Sequence, residues 1–163
     1  ECSADLTVPA YIPEGYVPAA EQRMDLYRRI AALRTPADEA DLMDELLDRY
    51  GDVPKPVTAL LNVAMLRAAA METGITDITQ KGRQLIFSFD MRIEPAALLA
   101  VCGMAGYRDR LQLAAGASPK LTLFLQPRED ALDAAGGLVE QLRLQQNELQ
   151  LQGQQPQEGG NEP

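Results

Sequence analysis

Apolar side chains return at three- and four-residue intervals through the first seventy or so positions and then at every second position, and this change of period divides the chain. The stretch Pro18–Arg34 places Met24, Leu26, Tyr27, Ile30, Ala31 and Leu33 on one arc, with Glu21, Asp25, Arg28 and Arg29 on the other, which predicts a helix in which Asp25 pairs with Arg28 or Arg29 one turn away. Thr35 then stands where a second helix needs its cap, Pro36 fits the first turn, and Gly51 is the stop after Tyr50. A third helix, "VTALLNVAMLRAAAMETG", is apolar around most of its circumference and belongs inside a bundle.

From Gly74 onward, "ITDITQKGRQLIFSFD" reads as two short strands around a tight turn, with Leu85, Phe87 and Phe89 on one face. Pro95 opens a short helix to about Cys102, "RLQLAAGASPKLTLFL" supplies a second strand pair, and a last helix starts near Arg128 with Leu132, Ala135, Leu138, Val139 and Leu142 at core spacing. The expectation is an α+β fold: an N-terminal bundle of three helices, a small sheet of four short strands and a C-terminal helix. Residues 1–17 form an extended arm with Tyr11, Ile12 and Tyr16 anchored on the core, residues 18–144 a single domain, and residues 145–163 a Gln- and Gly-rich tail expected to be disordered.

One face of the second helix is not explained by packing. At about 100° per residue, Asp41, Asp44, Glu45 and Asp48 share an arc opposite Leu42, Met43, Leu46, Leu47 and Tyr50. Glu45 and Asp48 lie in the last turns, where the helix dipole disfavours a carboxylate by about 0.3–1 kcal/mol. Such a face is either solvated or waiting for a basic partner.

Composition narrows the choice. The net charge of −9 and pI near 4.5 exclude a domain built to grip phosphates, so no direct nucleic-acid partner is expected. The chain has no histidine, which removes the commonest general base and metal ligand. "AAGGLVE" lacks the lysine of a P-loop, and "VCGMAGY" matches a dinucleotide fingerprint only in spacing, so both read as helix packing or termination. Cys102 sits on an apolar helix and reads as a buried small hydrophobe, and Cys2 lies too far along the chain to suggest a disulfide framework or zinc site. The acids of the second helix face outward, not across a cleft as glycosidase carboxylates do. No cofactor or metal is expected, no membrane span is present, and the cysteine usage fits a reducing cytoplasm. A chain that begins with Glu1 reads as a fragment of a longer protein.

Three segments carry a resemblance. "IPEGYVPAAEQRMDLYRRIA" (Ile12–Ala31), "ELLDRYGDVPKPVTALLNVAMLR" (Glu45–Arg67) and, more loosely, "GITDITQKGRQLIFSF" (Gly74–Phe89) resemble the C-terminal domain of the bacterial transcription-repair coupling factor (Mfd) family, over about residues 9–145. In that family an ATP-driven DNA translocase acts on stalled RNA polymerase, and the C-terminal domain is a non-catalytic regulator. The resemblance implies docking on a UvrB-like module of the same chain, masking its UvrA-binding surface until polymerase engagement in nucleotide excision repair. It also implies that Glu45 and Asp48 face arginines of that module, with Asp41 and Asp44 as contributors. UvrA and RNA polymerase are then indirect partners. The alternative is a recruitment module that binds UvrA or polymerase directly; a small enzyme is the third and weakest reading.

Overall fold

The structure, a computed structural model, describes residues 1–154. Its elements follow in the order β1 (Ser3–Asp5), α1 (Ala20–Ala31), α2 (Pro36–Tyr50), α3 (Lys55–Glu72), β2 (Ile75–Lys81), β3 (Gln84–Phe89), α4 (Pro95–Cys102), β4 (Leu111–Ala114), β5 (Lys120–Phe124) and α5 (Ala131–Gln154). The expected α+β class, the three-helix N-terminal unit and the C-terminal helix are all present.

The sheet has five strands, not four, in the order β1-β2-β3-β5-β4. The additional strand comes from the arm: Ser3, Ala4 and Asp5 pair in parallel with Asp77, Ile78 and Thr79. Ser-Ala-Asp has little intrinsic strand preference. It is held by the ladder itself and by side chains that act across it: Ser3 Oγ donates to Asp77 Oδ1 (2.5 Å) and Thr7 N to Gln80 Oε1 (2.8 Å). The β2–β3 hairpin turns at Gly82, whose φ of 57° suits glycine.

Two apolar clusters fill the interior. One collects Ile12, Val17, Leu26, Ile30, Leu33, Leu42 and Leu46 around Val57, Leu61 and Ala64 of α3. The other lies between the sheet, with Ile78, Leu85, Phe87, Leu121 and Leu123, and the helices α4 and α5, with Leu66 and Ala70 of α3 at its side. The all-round apolarity of α3 is thereby explained: its first half closes the bundle and its second half walls the sheet.

Several boundaries and exposures depart from the sequence expectation. α1 begins at Ala20 and stops at Ala31, short of Arg34. α5 begins at Ala131, because Arg128 adopts a left-handed φ of 66° and Asp130 caps the helix by accepting from Asp133 N (2.9 Å). α5 also continues beyond Leu144 to Gln154, into the first ten residues of the tail that the sequence reading takes as disordered. Gln146 is buried there because its amide is satisfied: Oε1 accepts from Glu94 N (3.0 Å) and Nε2 donates to Arg92 O (3.4 Å). The part of the expected disordered tail after Gln154 lies outside the described residues. Ile12 is buried and Tyr16 is anchored, but Tyr11 is half exposed. Met24, Tyr27 and Leu47, assigned to apolar arcs, are also exposed, because each lies at the margin of an arc whose centre is Leu26 and Ile30 in α1 or Leu42 and Leu46 in α2.

Candidate docking surface

The acidic helix is firmly fixed at both ends. Thr35 and Asp38 form a reciprocal capping box, Asp38 N donating to Thr35 Oγ1 (3.1 Å) and Thr35 N to Asp38 Oδ2 (3.0 Å). These bonds hold the Asp38 carboxyl below its ordinary pKa. At the other end Gly51 takes a positive φ of 84°, and Tyr16 from the arm donates its hydroxyl to the carbonyls of Leu46 (3.2 Å) and Gly51 (3.0 Å). Tyr50 in turn reaches α1, donating to Gln22 Oε1 (3.1 Å). The helix therefore presents its outer face on a rigid support.

On that face the four carboxylates divide into two groups. Glu45 is one third exposed and is already engaged: Arg29 of α1 donates from Nη1 to Oε1 (3.0 Å) and from Nη2 to Oε2, and Arg49 Nη1 donates to Oε1 (3.1 Å). The Arg29 hydrogen bonds first, and those of Arg49 as well, hold its pKa down at about 2, against an ordinary 4.5. Arg29 is correspondingly raised, chiefly by its hydrogen bond with Glu45. This fork across two helices also corrects the expected Asp25–Arg29 pairing: Arg29 faces α2, and among the described residues Asp25 is in no ion pair.

Asp41, Asp44 and Asp48 are exposed, and among the described residues none accepts a side-chain hydrogen bond or ion pair. Arg49, the one basic residue of the last turn, is turned toward Glu45 and lies 5.1 Å above the Tyr50 ring, so Asp48 gets no local compensation for its place near the negative end of the helix. Leu47, 46% exposed, borders the same arc one turn from Asp44. The surface is thus three unneutralised carboxylates beside an apolar side chain, which suits a guanidinium- or ammonium-bearing partner surface.

Sequence reasoning found the carboxylates and set Arg28 or Arg29 against Asp25, but missed the tie of Arg29 to Glu45, which lies sixteen positions away on another helix. The available signal was that α1 carries Arg23, Arg28 and Arg29 within seven residues. Other candidate positions are structural. Gly103 ends α4, Gly136 and Gly137 lie within α5, and Cys102 is half-buried, not buried, with its thiol pKa raised by desolvation. Among the described residues no group of histidine, cysteine or carboxylate side chains is arranged to hold a metal ion, and no helix is long and apolar enough to cross a membrane.

Comparison with known proteins places these elements in a family. The transcription-repair-coupling factor of Mycobacterium bovis is 43% identical over 75 residues, which is 46% of this chain and 6% of that protein. That of Escherichia coli is 30% identical over 103 residues, 62% of this chain and 9% of the protein, and that of Bacillus subtilis 35% over 80 residues, 49% and 7%. The chain thus spans less than a tenth of these relatives. A crystal structure of the C-terminal domain of a transcription-repair coupling factor shares the fold, with a TM-score of 0.74 over 90% of this chain and 94% of that one at 20% identity. The TRCF domain model matches residues 6–97, from the arm into α4. That match takes in more than half of the residues, α2 and its acidic face included, and the chain belongs to the TRCF domain family.

Proposed function

We propose that this chain is a non-catalytic autoinhibitory domain of a transcription-repair coupling factor. It docks through the outer face of α2 on a basic surface of a UvrB-like module in the same protein and covers the site where UvrA binds, until RNA polymerase engagement rearranges the protein. The observation that carries this reading is the trio Asp41, Asp44 and Asp48, exposed and without an internal cation on a helix capped at both ends. Glu45 contributes at the edge of the same face, its charge shared with Arg29 and Arg49.

The energetics are modest. A docked state about 99% populated needs about 2.7 kcal/mol. Single exposed ion pairs give about 0.2–1 kcal/mol, whereas close interfacial pairs reach about 1.5 kcal/mol or more. Two interfacial pairs with Leu47 as an apolar rim are enough. Tethering within one chain raises the effective concentration toward the millimolar range, so weak contacts hold.

The test is UvrA affinity of the full-length protein carrying Asp44→Lys and Asp48→Lys. These two exposed positions spare the Arg29–Glu45 tie, so the domain keeps its fold. UvrA binding is expected to tighten at least tenfold. Unchanged affinity would make the arc a solvated face and sink the proposal, and weakened affinity would favour direct recruitment of UvrA.

A further inference from the structure

The sheet ends at β4, which among the described residues is bonded on one side only. Phe124 N donates to Arg110 O (2.9 Å), and this fixes the alternation along the strand. Gln112 and Ala114 turn their amides and carbonyls toward Thr122 and Lys120 of β5, and Leu111 and Leu113 turn theirs outward. Exposed edges are commonly defended by lysine, proline or a bulge. Leu111–Ala114 has no charge and no proline, and its register with β5 is unbroken. The opposite edge, β1, is three residues long and carries Asp5.

A groove of about 500 Å³ adjoins the open end of β4. Met91, Leu98, Leu99, Leu113, Ala117 and Pro119 line it, and two of these are strongly exposed, Met91 at 95% and Leu99 at 64%. Asp90, the charged residue of the lining, is occupied by the backbone N–H and guanidinium of Arg92. Unpaired strand edge and uncharged apolar groove therefore meet at Leu113.

We propose that β4 and this groove bind an extended segment of another protein, uncharged and with apolar residues at alternate positions. The segment adds to the sheet as a sixth strand, its backbone paired with Leu111 and Leu113 at about 4.8 Å, and seats one aliphatic or aromatic side chain against Leu99 and Leu113. The open amides and carbonyls select a strand over a helix. Residues 155–163 are not that segment, since apart from two prolines they contain no aliphatic or aromatic side chain. A second copy is disfavoured by the repulsion of two bodies that each carry −9.

The test takes the whole chain through selection against a displayed library of seven-residue peptides, and the best binder serves as the probe. Enriched sequences are expected to alternate apolar and polar residues. In hydrogen exchange the Leu111 and Leu113 amides exchange quickly in the free chain and at least tenfold more slowly with the peptide. Leu99→Asp, at an exposed position, weakens binding at least tenfold with an unchanged melting temperature. Any of four results would overturn the proposal: no enrichment, equal binding to the Leu99→Asp chain, protection confined to other segments, or protection of Leu111 and Leu113 in the free chain that grows with protein concentration. The last would assign the edge to a second copy.

Discussion

The helical unit and the sheet unit solve the same problem with different means. Among the described residues the cluster around the sheet holds twenty buried residues, anchored by Phe87, Ile78 and Leu121, whereas the cluster formed by α1, α2, the first half of α3 and the arm and loop residues Ile12, Val17 and Leu33 holds ten. The bundle makes up the difference with polar ties between elements: Arg29 to Glu45, Tyr50 to Gln22, and Tyr16 to the last carbonyls of α2. Apolar burial is non-directional and strong, and a hydrogen-bonded tie is weaker but fixes orientation. The contrast teaches that the sheet supplies stability and the bundle supplies aim, which is what a helix presenting a charged face requires.

This contrast can be broken by substitution. Phe87→Ala empties a fully buried position in the sheet cluster and should cost about 3–5 kcal/mol in urea unfolding. A cost under about 1 kcal/mol would remove the sheet from its place as the main source of stability. Thr35→Ala removes the cap of α2 and should cost about 0.5–2 kcal/mol, read as a shift of the urea midpoint without a change of slope.

The smallest effect is the most diagnostic. The tie at Glu45 is partly exposed, so Glu45→Gln should cost only about 0.2–1 kcal/mol at neutral pH. Its signature is in pH dependence. The carboxyl pKa is about 2 in the folded chain against an ordinary 4.5, so the ionised pair contributes stability above about pH 4.5 that is lost as the pH falls toward 2. Glu45→Gln should flatten the stability profile across that window, and a profile identical to wild type would show that Arg29 does not hold this carboxylate.

Much of this was legible from local chemistry. Thr35-Pro36 before an apolar arc and Gly51 after Tyr50 define α2 to the residue, because caps are local signals. The hairpin was readable from Lys81-Gly82 between alternating residues, and the α5 core positions from their spacing. What escaped depends on distant partners. Ser3–Asp5 is a strand only because Asp77–Thr79 lies beside it, and Gln146 is buried only because Glu94 N and Arg92 O meet its amide. The carboxylates of the candidate surface could be seen from helical periodicity alone. That Glu45 differs from Asp41, Asp44 and Asp48 could not, since the difference is Arg29 on another helix. Leu47 was misplaced because periodicity gives the direction of a core face and not its width.

α3 has a mechanical meaning as well as a packing one. Its Val57 and Leu61 are buried against the acidic helix's own supports, and its Leu66 and Ala70 against the sheet. A single unbroken helix thus serves as a beam shared by two rooms: under the docking proposed above, a load applied to α2 would pass along α3 into the sheet through one continuous element, and the domain would release as one body.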